Sequence, residues 1–237
     1  MALTIKISIP FYLHGDANNG EYIRVFRHYA RLGYHINLCG SEGALSKRYC
    51  KSVLSHKVRY VEVPQESFCD SSKGDDALRK KFNDSLITHG GNADLYVLVG
   101  ADDIVDPDVF KHLQHINPNE IVMAGISSDE PLYITDYHDG DRYRVTLKYR
   151  IPVKLLPGIN VFTRAAMVYS HWQPYNQEGC ETGAEFYYDN VGRIIALPGW
   201  VLMLKNKHAL NKSSNIKSRH QINSLTAEQR RLVKRYE

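Results

Sequence analysis

Asp102 and Asp103 close the most strand-like run of the chain, ADLYVLVGADD. Two adjacent carboxylates repel each other, so the pair is costly unless it is exposed or neutralised by a metal ion or a cationic ligand. A divalent ion bridging a diphosphate supplies that neutralisation, and as a Lewis acid it eases the departure of a nucleoside diphosphate. The bland alternative is a polar strand exit ahead of a capped helix. In RYRVTLKYR, Arg142, Arg144, Lys148 and Arg150 share one strand face, while Tyr143, Val145, Leu147 and Tyr149 share the other. Four cations on one face suit an anionic partner, or else a solvated edge strand guarded against aggregation. EGCETGAEFYYDNVG is a Gly- and acid-rich stretch, and the bland reading of Glu181 within it is an acid complementing a helix N-terminus.

Several common templates are missing. The sequence has no GxxxxGK phosphate loop, no GxGxxG after its first strand, no GxSxG elbow and no HExxH. DDIVDPD is a poor calcium loop, because its sixth position is Pro107 and its twelfth is Leu113. His112 and His115 lack a third ligand nearby in sequence and read as surface histidines. Cys39, Cys50, Cys69 and Cys180 form no CxxC pair, so free thiols in a reduced compartment are expected.

The elements that must carry these residues alternate. IKISIP reads as a buried strand, GEYIRVFRHYARLG as an amphipathic helix stopping at Gly33, and HINLCG as a second strand. ALSKRYCKSVL is a helix, VRYVEVP a strand, and GDDALRKKFNDSLITHG a helix with acids in its first turn. After ADLYVLVGADD comes VDPDVFKHL, a helix with Asp106 at its N-cap and Pro107 at its first position. Strands alternating with helices through short loops predict a mostly parallel sheet covered on both faces. Ligands of such sheets bind beyond the carboxyl ends of the strands. Those ends are the loops at 11–20, 40–43, 64–73 and 100–103. Beyond residue 120 the pattern changes: EIVMAGISS is a strand, LYITDY and RYRVTLKYR form a hairpin across Asp139-Gly140, and RIIALPGWVLML reads as one strand.

At 43% hydrophobic and 24% charged, the 237 residues are ordinary globular composition, which excludes wholesale disorder. No apolar run is long enough for a membrane span, and the opening MALTIKISIPFYLHG reads as a strand rather than a secretion signal. A cytoplasmic setting and no membrane partner are therefore expected. The net charge of +4 is unevenly placed: residues 205–237 hold nine Lys or Arg against Glu228 and Glu237, or +7, which leaves −3 for the rest. The expected division is a folded domain over 1–204 and a basic C-terminal segment over 205–237, with an anionic partner or simple solubility as its purpose.

YVLVGADDIVDPDVF resembles the metal-binding segment of GT-A glycosyltransferases, particularly of the family 2 type: an apolar strand, then DxDD, then a Pro-started helix. Asp102 falls on the second Asp of that DxD motif, Asp103 on the residue after it, and Gly100 on the first Asp, where this chain departs from the pattern. LRKKFNDSL is similar to the helix these enzymes place before the motif, with a basic residue and Asn83 near the sugar nucleotide. GCETGAEFYYDNVGRI resembles their EDxxL segment. There a Gly follows the base by eleven positions, and Gly192 points to Glu181, with Cys180 in place of the preceding acid. The similarity spans roughly residues 3–205.

The resemblance implies an α/β, GT-A (Rossmann-like), mostly parallel sheet with flanking helices, plus a β-hairpin and a basic C-terminal tail. It implies Mn2+ or Mg2+ held by Asp102 and Asp103, with His208 as a further ligand. A nucleotide-sugar donor would lie against Pro10, Phe11, Tyr12, Ser41 and Glu42 on one side, and against Lys81, Asn83, Gly100, Ala101 and Asp102 on the other. Lys80, Lys81 or Lys73 would meet phosphate charge. Glu181 would be the base of an inverting transfer, with Glu178 and Glu185 behind it. Compact enzymes of this kind are similar to phage-encoded ones that glycosylate hydroxymethylated pyrimidines in DNA. Arg142, Arg144, Lys148, Arg150 and the tail would then bind a DNA acceptor in the host cytoplasm. The alternatives are a cell-surface glycan as acceptor, nucleotidyl transfer to a sugar phosphate, or a nucleic-acid-binding domain without catalysis.

Overall fold

The computed structural model describes residues 2–13, 20–64, 74–126, 133–137, 143–145, 158–175 and 192–205, together with Ala227, Arg231 and Arg235. The first half follows the expected alternation: β1 (Ile5–Pro10), α1 (Gly20–Arg31), β2 (His35–Gly40), α2 (Ala44–Cys50), β3 (Val58–Glu62), α3 (Gly74–Ile87) and β4 (Leu95–Val99). Then come β5 (Asp103–Val105), α4 (Val109–His112), β6 (Val122–Ile126), β7 (Tyr133–Tyr137), β8 (Tyr143–Val145), β9 (Ile159–Thr163), α5 (Arg164–Tyr169), β10 (Arg193–Leu197) and β11 (Val201–Lys205).

Seven strands form the main sheet in the order β10-β6-β9-β4-β1-β2-β3. β3, β2, β1 and β4 are mutually parallel, and β10 is parallel to β6. β9 alone runs against its neighbours β4 and β6. Two-residue periodicity decides what each face buries. Ile5, Ile7 and Ile9 of β1, with Leu95, Val97 and Val99 of β4, join Val25, Phe26 and Tyr29 of α1 and Phe110 of α4 in one core. Tyr96 and Leu98 face the other way, meeting Leu86 of α3, Ala166 and Met167 of α5, and Tyr175. α1 ends where sequence placed its stop: Gly33 takes φ +77°, a left-handed conformation that glycine adopts without a side-chain clash.

Two details differ from the sequence reading. RIIALPGWVLML is two strands in two sheets, β10 on the main sheet and β11 on a smaller one ordered β5-β11-β7-β8, divided at Pro198-Gly199. A continuous apolar run cannot reveal that its two halves pair with different partners. α4 starts at Val109, not Pro107. Asp106 still organises the entry, its Oδ1 accepting the Asp108 N–H at 3.0 Å, but the first turn closes later. β11 ends at Lys205. The hairpin strands pair as expected, antiparallel, with Thr135 opposite Arg144 and Asp136 opposite Tyr143. Among the described residues no helix is long and apolar enough to cross a membrane. Cys39 and Cys50 are free and buried, and Cys69 and Cys180 lie outside the described residues.

Candidate functional site

The carboxyl ends of β1, β2 and β4 gather three loops, and two side chains, Glu42 and Lys81, tie the first two together. Glu42 lies just past β2. Its Oε1 accepts the Leu13 N–H at 2.8 Å, and its Oε2 accepts the Ser46 hydroxyl at 2.6 Å and the Ser41 N–H at 3.3 Å. Lys81 reaches the same place from α3. Its Nζ donates to the Phe11 carbonyl at 2.5 Å and to Ser41 Oγ at 2.6 Å, and stands 5.3 Å from the centroid of the Tyr12 ring. Only 2% of Lys81 is exposed. Burial disfavours its charge and lowers its pKa from 10.5 to about 8, although the charges of Glu42 and Cys39 act in the opposite direction. Gly40 makes this closeness possible, since a Cβ there would stand 2.7 Å from the Tyr60 ring and 2.9 Å from the Phe11 ring.

Lys81 lies inside because of its helix face. Lys81, Ser85 and Thr88 recur at helical spacing on the side of α3 that meets the sheet. Ser85 Oγ donates to the Lys81 carbonyl at 2.7 Å, Ser8 Oγ donates to the Ser85 carbonyl at 2.8 Å, and Asn37 Nδ2 donates to Thr88 Oγ1 at 2.9 Å. This polar seam carries the lysine to the sheet's edge. Lys81 is one of three lysines, with Lys80 and Lys73, expected to meet phosphate charge, and its ammonium lies on protein oxygens. Lys80, its neighbour, is exposed.

Gly100, Ala101 and Asp102 link β4 of the main sheet to β5 of the small one. Asp102 is half-buried, and Asp103 is 5% exposed. Both carboxylates lean over Gly100: a Cβ at residue 100 would overlap Asp103 Oδ2 outright and stand 3.3 Å from Asp102 Oδ1. Gly158, at the start of the reversed strand β9, completes the cradle. Its carbonyl accepts the Gly100 N–H at 3.1 Å, and a Cβ on it would lie 3.1 Å from Asp103 Oδ2. Behind them the Tyr29 hydroxyl of α1 donates to the Asp103 carbonyl at 3.0 Å and accepts the Val105 N–H at 3.2 Å. Sequence reasoning missed Gly158 and Tyr29. The Pro157-Gly158 pair was a signal for the first, whereas Tyr29 read as an ordinary core position.

The seven-stranded order with one reversed strand, and this edge, can be set beside known structures. The inositol-1-phosphate CTP transferase of T. maritima superposes with a TM-score of 0.50 at 14% identity, over 90% of this chain and 94% of that one. The chain has a Rossmann-like α/β fold. Two further solved structures are similar at lower scores. The 4-diphosphocytidyl-2C-methyl-D-erythritol synthase of Anaerococcus prevotii DSM 20548 gives 0.47 at 13% identity, over 99% of this chain and 98% of that one. The glycosyltransferase GlyE of Streptococcus pneumoniae TIGR4 gives 0.46 at 11% identity, over 82% of this chain and 45% of that one. No protein-family model matches the sequence, and no curated protein matches it.

Carboxylate oxygens such as those of Asp102 and Asp103 are the hard donors that divalent cations take. Mg2+ and similar ions are commonly held by one or two carboxylates plus phosphate oxygens and water, not by a full protein cage. Asp102 and Asp103 are two such oxygens sources on one side of the chain. Among the described residues no group of three His, Cys, Asp or Glu side chains could hold a metal without such help.

The remaining candidates are distributed as follows. Pro10 ends β1 opposite Cys39, and the Phe11 ring packs at 5.1 Å from Phe26, which leaves its backbone, not its ring, at the edge. Tyr12, Ser41 and Glu42 are half-buried, and Ala101 is buried. Asn83, on the same helix as Lys81, is turned to the segment after α5. Its Nδ2 donates to the Tyr175 carbonyl at 3.1 Å and its Oδ1 accepts the Tyr175 N–H at 3.0 Å, which clamps α3 to the segment after α5. Arg144 is in β8. Glu178, Glu181, Glu185, Arg142, Lys148, Arg150, Lys73 and His208 lie outside the described residues. His112 and His115 are exposed.

Proposed function

We propose that this protein is a metal-dependent glycosyltransferase that moves a sugar from a UDP-sugar to an acceptor hydroxyl. The observation that supports the reading most is the convergence, at one sheet edge, of backbone and side-chain groups from three separate stretches: Phe11–Leu13, Ser41–Glu42 and Lys81, with Asp102 and Asp103 one strand away. In this reading the nucleoside lies in the groove between the loops after β1 and β2, with the half-buried Tyr12 ring beside the base. The diphosphate extends toward Asp102, past the end of β4. A bound Mn2+ or Mg2+ would offset the diphosphate's charge as it leaves.

Glu181 is the proposed base, taking the acceptor hydroxyl's proton as that oxygen attacks the anomeric carbon in an inverting displacement; Glu178 and Glu185 are its alternates. The 1–204 portion carries donor chemistry. The basic face of residues 142–150 and the 205–237 segment are assigned to an anionic acceptor, with a hydroxymethylated pyrimidine in DNA as the first candidate and a cell-surface glycan as the second.

The test is a panel of UDP-sugars with Mn2+, read as released UDP, alongside Asp102→Ala. Release by the wild type that falls at least tenfold in Asp102→Ala is the expected result. Pyrophosphate release from CTP and a sugar phosphate, without UDP release from any donor, would establish nucleotidyl transfer instead. DNA retention with neither activity would leave only the binding domain.

A further inference from the structure

Three consecutive residues of the loop after β1 are each held by one member of the Lys81–Glu42 pair. The Phe11 carbonyl accepts from Lys81, the Tyr12 ring lies over Lys81, and the Leu13 N–H donates to Glu42. Lys81 also holds Ser41 in the loop after β2, and Glu42 belongs to that same loop. An ammonium buried this deeply is retained only where strong acceptors compensate its lost hydration. A carbonyl at 2.5 Å and a hydroxyl at 2.6 Å are such acceptors. Neither bond stabilises α3 internally; both run outward, from a long helix to Phe11 and Ser41, which lie just past the ends of β1 and β2.

We infer that Lys81 is a positioning residue whose buried ammonium sets the spacing between the loops after β1 and β2, so that a nucleoside enters a groove already formed. The affinity part of this inference rests on the proposed function; the loop-ordering part stands on the bonds alone. If the tie is cut, the loops must be ordered during binding. That adds about 1.4 kcal/mol for one or two immobilised groups, which reads as about a tenfold higher Kd.

The experiment uses the full chain as wild type, Lys81→Met and Ser41→Ala. Amide hydrogen exchange is measured without ligand, and UDP binding is measured by calorimetry. In Lys81→Met the amides of Leu13, Ser41 and Glu42 should exchange about tenfold faster while those of β4 keep their protection, and UDP binding should weaken about tenfold. Ser41→Ala removes one acceptor without altering α3 and should shift the same amides by less, so it decides the matter if Lys81→Met does not fold. Unchanged exchange at Leu13 and Ser41 would overturn the inference. So would equal acceleration in β4, which marks general destabilisation. A wild type that binds no UDP would refute the proposed function, and the exchange data would still decide the role of Lys81.

Discussion

Acid should destabilise this protein through two histidines that have no part in the proposed chemistry. His28, 8% exposed on α1, donates from Nε2 to the Val105 carbonyl at 3.1 Å. His89, just past α3, donates from Nε2 to the Ile7 carbonyl at 3.0 Å. Burial is the main cause that lowers each pKa from 6.5 to about 4. The carbonyl bond opposes it in both, while Arg31 and Arg235 add to it at His28, and Lys6 and His35 at His89. The neutral ring is therefore the folded form, and between pH 6.5 and about 4 the unfolded chain binds more protons than the folded one. The contribution is fully present above pH 6.5, declines as pH falls through the window, and is exhausted below about 4. At 1.36 kcal/mol per pH unit, the gap is worth about 3 kcal/mol for each histidine. The two lie on opposite faces of the sheet, so their effects should add to about 6 kcal/mol. That is comparable to the whole stability of many domains. Urea unfolding at a series of pH values between 7.5 and 4, for wild type, His28→Gln and His89→Gln, measures it. Gln keeps a donor near the ring nitrogen's place but does not titrate. Each variant should lose about 3 kcal/mol less than wild type across the window. Curves that run parallel to wild type would refute the reasoning.

The remaining predictions concern the cradle and one strained turn. Gly100→Ala should push the Asp103 carboxylate aside and weaken Mn2+ binding by about 10- to 100-fold in calorimetry, the scale of effect seen when a ligand's support is lost. Its urea stability should stay within about 1 kcal/mol of wild type, because the displaced atom is a side-chain end and alanine lowers unfolded-state entropy. Unaltered Mn2+ binding would separate the cradle from the metal. His171 and Trp172 both adopt positive φ, +51° and +66°, after α5. Exposed His171→Gly should raise stability by about 1 kcal/mol by relieving that backbone cost. Trp172→Gly should lower it, because the indole packs edge-on against Tyr96 at 5.5 Å. Thermal unfolding that moves in the same direction for both would contradict this account.

Sequence alone determined the elements whose pattern is local. The alternating Ile5, Ile7 and Ile9 make β1 legible, the apolar stripe of α1 ends at a glycine that must turn left-handed, and the apolar run of β4 leads to paired carboxylates. Each depends on propensity and periodicity within about a dozen residues. It also placed the candidate donor residues at strand ends, since alternating β and α elements put all such ends on one edge. Tertiary structure decided what no window contains. β9 runs backwards between β4 and β6, bringing Gly158 beside Gly100, and RIIALPGWVLML divides between two sheets. Lys81 points inward because two distant segments supply its oxygens, whereas a lysine on an amphipathic helix reads as solvated until those partners are known. Gly100, a departure from a motif when read along the chain, is in space the gap into which two carboxylates lean. Burial and pairing are properties of neighbours far apart in sequence, and the fold alone chooses them.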